Sequence, residues 1–370
     1  MNKLAAVWGL YLLVQIWPAE ARTLWVLGGR HHEAMTFDAM HCADSAQSAP
    51  AACVPRPEGW DVALDLSSVG LGVWSERAAR NAVRWPDDPA SELSLGNPMG
   101  FVRWSWNLVL GGCGGKGSTL TTGLRCSSHY GNLQYLHAMS ASKGDRAEDT
   151  KEKMLAWTKY LLLVLQDAPQ AGGGTFIEQN HCTYWASEQR QGNPIAEDMM
   201  PDGPTGFPCV VDKGEPWIVA SLFAFYCTYN IYTCDVNLSE QTVKSRALGA
   251  ILHLIQDSFT QGHALRGDCC MGVEDADLAA YQCAPIQQFN VYGLQNKGRH
   301  KAADKEPVAG ESCRTVDMVH DPITSAARIL WELKTRGVTD GAIDTVLDYV
   351  DTDILRLVEA PTPGDAGSGF

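Results

Sequence analysis

Positive charge is scarce in this chain. Lys and Arg number 29 against 43 Asp and Glu, a formal net charge of −14. An acidic surface offers no broad attraction to nucleic acid or anionic membranes. A phosphate-bearing substrate stays open, because bound divalent cations invert the local field. No apolar run beyond the first twenty residues is long enough to span a bilayer; residues 161–165 are apolar but brief. Cys-x2-Cys pairs are missing and Cys269 adjoins Cys270, which argues against cysteine-ligated zinc. The Gly-rich stretch 111–118 lacks the Ser or Thr of a phosphate loop, since Gly117 follows Lys116. There is no repeat, and no alternating strand pattern beyond residues 23–27.

What is there begins with an export signal. Lys3 supplies a positive start, residues 5–17 form an apolar stretch, and Ala19-Glu20-Ala21 fits a cleavage site. Residues 1–21 are therefore expected to be a signal peptide, and the mature chain to start at Arg22 and be secreted or periplasmic. Twelve cysteines fit an oxidising compartment. Cys42–Cys53, Cys113–Cys126 and Cys227–Cys234 are plausible short disulfide loops, while the remaining six cysteines cannot be paired from sequence.

Apolar spacing predicts helices over 33–41, 75–83, 131–139, 149–165, 217–229, 239–260, 323–334 and 339–358. Ser239 is the expected N-cap of the sixth. This is an all-α pattern: one helical domain over 22–360, with an insertion at about 168–215 and a small, polar, disordered tail at 361–370.

The most informative stretch is LGAILHLIQDSFTQGH, residues 248–263, which carries His253-x3-Asp257-x5-His263. His253 and Asp257 share a helix face. His263 follows at the helix end, where Gly262 loosens the backbone and lets the imidazole turn back. Two imidazoles and a carboxylate suit zinc. A His and an Asp at this spacing are as often a polar core pair, so the rest of the chain must decide. His300 and Asp304 repeat the spacing. His31-His32-Glu33, Asp87-Asp88 after Pro86, His129 and His137 add further candidates. Five ligand clusters exceed what one zinc needs.

In this order of ligands the chain resembles the superfamily that joins bacterial zinc-dependent phospholipases C to fungal zinc single-strand nucleases. It looks closest to secreted phosphatidylcholine-hydrolysing enzymes with extra cysteines. The resemblance implies an all-α fold holding three zinc ions. Asp87, His137, His253 and Asp257 would hold one. His263, His300 and Asp304 would hold a second. His32, with Asp257 bridging, would hold the third. His32 against His31, Asp87 against Asp88, and His137 against His129 are choices between neighbours. Asp87 is preferred because family ligands often follow Pro or Ala in such a turn, and His137 for its leucine-flanked setting. Asp87 would double as general base. The family's mature chain usually starts with a metal-binding Trp; here the nearest Trp to Arg22 is Trp25.

The implied activity is hydrolysis of phosphatidylcholine to diacylglycerol and phosphocholine by a zinc-activated water, with transient contact at a membrane surface. A single-strand nuclease or nucleotidase of the same superfamily is the alternative, with nucleic acid as substrate. A non-catalytic lipid-binding relative is a third possibility. Twelve tryptophans offer a cage for a quaternary ammonium or a platform for a base. The acidic balance favours lipid. Gln256 and Glu33 are candidates to orient the imidazoles.

Overall fold

The computed structural model describes residues 31–54, 56–88, 124–200, 217–224, 238–266, 285–296, 298–300, 321–367 and 370. The described residues are mostly helical. The elements run α1 (His31–Ser45), β1 (Ala63–Leu66), β2 (Gly72–Ser75), α2 (Glu76–Val83), α3 (Leu124–Tyr130), a 3-10 turn at Gln134–His137, α4 (Ala147–Gln166), α5 (His181–Arg190), α6 (Ala196–Met199), α7 (Glu240–Asp257), β3 (Ala264–Arg266), β4 (Ile286–Phe289), α8 (Pro322–Arg336) and α9 (Asp340–Tyr349).

Helix α7 occupies the interior. Ser239 caps it by accepting from Thr242 N, which satisfies one of the otherwise orphaned first-turn donors. Beyond that turn its residues are apolar almost all round. Leu248, Ile251, Leu252, Leu254 and Ile255 are all buried, the pattern of a helix enclosed on every side. It packs against α2, α4, α8 and α1. Its crossing with α2 depends on Gly249. A Cβ there would lie 2.2 Å from the backbone carbon of Ala82, so only glycine admits this approach. Asp321 caps α8 through Ile323 N and Thr324 N, and Pro322 occupies its first turn, where a missing N–H costs nothing. Helix α8 lies along α1, and the Cys42–Cys53 disulfide closes the loop after α1. Cys126 and Cys182 are disulfide-bonded as well.

Several expectations change. Two antiparallel sheets of two strands each, β1–β2 and β3–β4, stand where alternation predicted none. Their strands are only three or four residues long, too short for a period to show. The helix expected over 131–139 is a 3-10 turn preceded by α3. Helix α7 ends at Asp257 instead of continuing to 260. The tail expected to be disordered instead runs beside β4 through residue 367: Thr362 N donates to Gln287 O, and Val291 N to Asp365 O. Within the expected insertion, α5 packs Trp185 into the core beside Tyr160. Residues 1–30, and with them the signal segment and strand 23–27, lie outside the described residues. So do the Cys227–Cys234 loop, Cys113, and the last five residues of the helix expected at 217–229, whose described part forms a 3-10 turn over 219–224. No helix among the described residues is long and apolar enough to cross a membrane.

Candidate metal centre

Separated parts of the chain deliver side chains to one point: the first turn of α1, the turn after α2, α3 with the 3-10 turn at 134–137 that follows it, and the C-terminal half of α7 with the turn beyond it. Asp257 is the hub, 1% exposed. Its Oδ2 lies 3.0 Å from His253 Nε2, 3.0 Å from His137 Nδ1 and 3.4 Å from His263 Nδ1. Its Oδ1 lies 3.3 Å from His32 Nε2. Asp87 Oδ1 stands 3.7 Å from His253 Nε2, 3.8 Å from His137 Nδ1 and 3.7 Å from His129 Nε2. Two groups have ligand atoms clustered tightly enough for an ion: His32, His253 and Asp257, and Asp87, His137 and His253.

The tautomers are set from outside the cluster. His253 Nδ1–H donates to Val83 O at 2.9 Å. His32 Nδ1–H donates to Gln256 Oε1 at 2.9 Å, and Gln256 Nε2 is in turn held by Thr36. A carbonyl oxygen can only accept, so Nδ1 carries the proton in both rings and Nε2 is the lone-pair nitrogen when the ring is neutral. Both Nε2 atoms face Asp257. Imidazoles whose second nitrogen donates to a carbonyl, with lone pairs aimed inward, are arranged as metal ligands are. His263 Nδ1–H likewise donates to His137 O. That carbonyl leads into Ala138, whose φ of 53° is unusual for a residue with a side chain.

Burial and neighbouring charges shift the groups of the cluster in opposite directions. Burial pushes His137 down to about 4 and His300 down to about 3, with neighbouring imidazoles adding to the effect. Both rings are therefore neutral at pH 7. Burial also opposes the charge on His253, but the Asp257 and Asp87 carboxylates overrule it and push His253 up to about 10. Burial works against ionised Asp257 too, yet the surrounding imidazoles hold it well below the usual carboxylate range. Asp87 is depressed in the same way, with His253 and His129 outweighing its desolvation. Two carboxylates thus face one imidazolium. Asp257 Oδ1 and His137 Nε2 are buried with no hydrogen-bond partner among the described residues. The imidazole nitrogen nearest Asp257 Oδ1 is His32 Nε2, and a buried carboxylate oxygen facing an imidazole lone pair is costly unless a proton or a cation lies between them. Imidazole nitrogens and carboxylate oxygens grouped in this way could hold a metal ion.

His263 and His300 are adjacent, with ring centroids 5.0 Å apart. Gly262 permits this in a way the sequence did not suggest. Its φ is not left-handed; instead, a Cβ on it would sit 2.9 Å from His300 Nδ1. Asp304, the expected partner of His300, lies outside the described residues. Of the neighbouring pairs, His32 and Asp87 contribute ligand atoms to the two tight groups. His129 and His137 both reach the centre, with ring centroids 4.6 Å apart. Glu33, expected to orient an imidazole, pairs with Arg84 instead, whereas Gln256 does hold His32. Three contacts carried no sequence signal: the Val83 carbonyl accepting from His253 Nδ1, Gln295 Oε1 accepting from His300 Nδ1 at 2.7 Å, and Asn290 N donating to His263 O at 2.8 Å. The cluster has an open side: the Asp87 side chain is 42% exposed, and Tyr292 stands edge-on to His129 and His300. Comparison with protein-family models, with curated proteins and with solved structures finds no match to this chain.

Proposed function

We propose that this chain is an exported zinc-dependent phosphodiester hydrolase of the phospholipase C type, cleaving phosphatidylcholine to diacylglycerol and phosphocholine. One observation carries the reading: Asp257 is shared. Its two oxygens face different imidazole groups, His32 on one side and His137, His253 and His263 on the other. A carboxylate so placed suits a bridge between two cations. Asp87, His137, His253 and Asp257 would hold one zinc, and His32 with Asp257 another. His263 and His300, with Asp304, would hold a third.

Bound zinc would supply Lewis acidity, bringing water toward ionisation at neutral pH and offsetting charge on a phosphate. The protein's own groups do the rest. His32 and His253 each present Nε2 to Asp257 because Nδ1 donates to a carbonyl oxygen. His263 and His300 also have Nδ1 committed to a carbonyl oxygen, which leaves Nε2 as the lone-pair nitrogen. Asp87 is ionised and half-exposed, so it can ligate and also accept a proton from an attacking water. Tyr292 and Tyr130, with ring centroids 5.2 Å apart, give the open side an aromatic edge suited to the group esterified to the phosphate. The acidic charge balance disfavours a polyanionic substrate.

The test is elemental analysis of the purified mature protein, followed by assays on phosphatidylcholine micelles and on single-stranded DNA. Two or more zinc ions per chain with release of phosphocholine are expected. Cleavage of DNA alone would replace the lipid reading with a nuclease. Fewer than two zinc ions and no hydrolysis of either substrate would make the chain a lipid-binding relative without catalysis.

A further inference from the structure

Segment 361–367 reaches into the support of the metal centre. Gly364 fits against Ser140, where a Cβ would come within 2.8 Å of the Ser140 Cβ. Its backbone exchanges hydrogen bonds of 2.8 Å with Gly144 and Asp145. Asp365 O accepts from Val291 N at 2.8 Å. Gly367, with φ +94°, passes over the Asn290 side chain so closely that a Cβ would lie 2.6 Å from Asn290 Oδ1. Only glycine combines that φ with that approach.

Two amides lie between this segment and the centre. Gln295 Nε2 donates to Ala366 O and to Gly262 O, both at 2.7 Å. With its amide nitrogen fixed by two carbonyls, Gln295 must turn Oε1 the other way, where it accepts from His300 Nδ1 at 2.7 Å. That bond keeps the His300 proton on Nδ1 and leaves Nε2 with the lone pair. Asn290 Nδ2 donates to Gln261 O and Gly262 O, and Asn290 N donates to His263 O at 2.8 Å.

We propose that segment 361–367 is a positioning strap for the His263–His300 arm of the centre. Ala366 orients Gln295, which fixes the His300 ring. Asp365 and Gly367 enclose Asn290, which fixes His263. The inference rests on the metal reading above for its consequence, but the orientation of His300 is measurable without metal.

The test compares the full chain with Gly367→Val, Gln295→Leu and Lys143→Ala. Zinc stoichiometry and affinity are measured by chelator competition, and the His300 tautomer by 15N spectra of the zinc-free protein. Gly367→Val displaces the strap, Gln295→Leu removes the relay, and Lys143→Ala breaks only the exposed pair with Asp365. The first two are expected to weaken binding of about one zinc by roughly 10- to 100-fold while the others stay bound. They should also turn a single Nδ1–H tautomer into a mixture; Lys143→Ala should change neither. Adding Gln295→Glu to the Gly367→Val chain should restore the tautomer, because a carboxylate offers an oxygen whichever way it faces. The proposal is overturned if Gln295→Leu and Gly367→Val keep both the wild-type zinc affinity and the Nδ1–H tautomer, even with a lowered Tm. Should Gly367→Val fail to fold, Gln295→Leu decides alone. A wild-type chain that binds no zinc, yet shows the tautomer fixed and then released by the variants, would sink the metal reading and leave the strap standing.

Discussion

Asp257 and His253 show how much one residue's meaning depends on its partners. A His and an Asp four apart on a helix are a common polar pair. Here the His253 proton is committed to Val83 O, and Asp257 keeps an oxygen without a hydrogen-bond donor. Replacing His253 by Ala removes a ligand shared by both tight groups. His253→Ala is expected to bind at least one zinc fewer and to lose phosphodiesterase activity. In the metal-free protein it leaves Asp257 buried and under-compensated, a cost on the order of 3–5 kcal/mol. His41→Ala, which removes a ring packed edge-on to Trp60, should leave zinc content and activity unchanged. Elemental analysis and urea denaturation of the two variants check both statements.

At the scale of elements, the contact between α2 and α7 matters most. It places the end of α2, with the Val83 carbonyl and the turn bearing Asp87, over the face of α7 that carries His253. Gly249 sets that distance. In Gly249→Ala the added methyl meets the Ala82 backbone, which has no rotamer to yield, so the helices must separate. A loss of about 1–3 kcal/mol is expected, along with weaker zinc binding, because His253 and Asp87 move apart together. Denaturant midpoints and chelator competition measure the two effects. An unchanged zinc affinity would mean that the Asp87 turn is not positioned through this crossing. By contrast, His137 is not carried on a long helix, although its turn packs against α4 and α7. It sits in a 3-10 turn that ends on Ala138 in a left-handed conformation.

The whole molecule buries imidazoles that stay neutral, and this fixes how its stability responds to acid. Burial lowers His181, far along the chain at the start of α5, to about 4, although its Nε2 bonds to Met199 O. His137 and His300 are lowered as well. As pH falls below about 6.5 the unfolded chain takes up protons that the folded one refuses, so stability drops down to about pH 4. His253, raised to about 10, acts in the opposite sense. Its contribution is complete below about 6.5 and is lost as pH rises toward 10. Chelator-treated protein should therefore be most stable near pH 6–7. His181→Gln, away from the centre, should recover about 3 kcal/mol of the loss between pH 7 and pH 4, at ~1.4 kcal/mol per pKa unit. Urea midpoints at the two pH values give the difference; equal losses in the variant and the parent would refute the assignment.

Much of this protein is written locally. Ser75, Ser239 and Thr339 cap the helices they were expected to start, because a cap is a contact between residues three apart. The one-faced pair His253 and Asp257 was legible for the same reason, and the Cys42–Cys53 disulfide because it closes a loop with a sequence separation of only 11. The short strands were not, since four residues are too few to reveal a period. Nor was the packing of residues 361–367: a run of Gly, Pro and small polar residues looks alike whether free or laid against β4. His32 over His31 and Asp87 over Asp88 were preferences in the sequence; that the ligand atoms of His32 and Asp87 lie in the two tight groups is a fact of tertiary structure. So are the presence of both His129 and His137, and the use of Val83 O and Gln295 to set the rings, whereas Gln256 was a candidate from the sequence. Each requires segments tens to hundreds of residues apart to meet, and no local pattern records which nitrogen then carries the proton. The sequence by itself determined which side chains were available to bind a cation; folding decided which of them converge and which atom each presents, because convergence depends on packing at Gly249 and Gly262 that only the third dimension expresses.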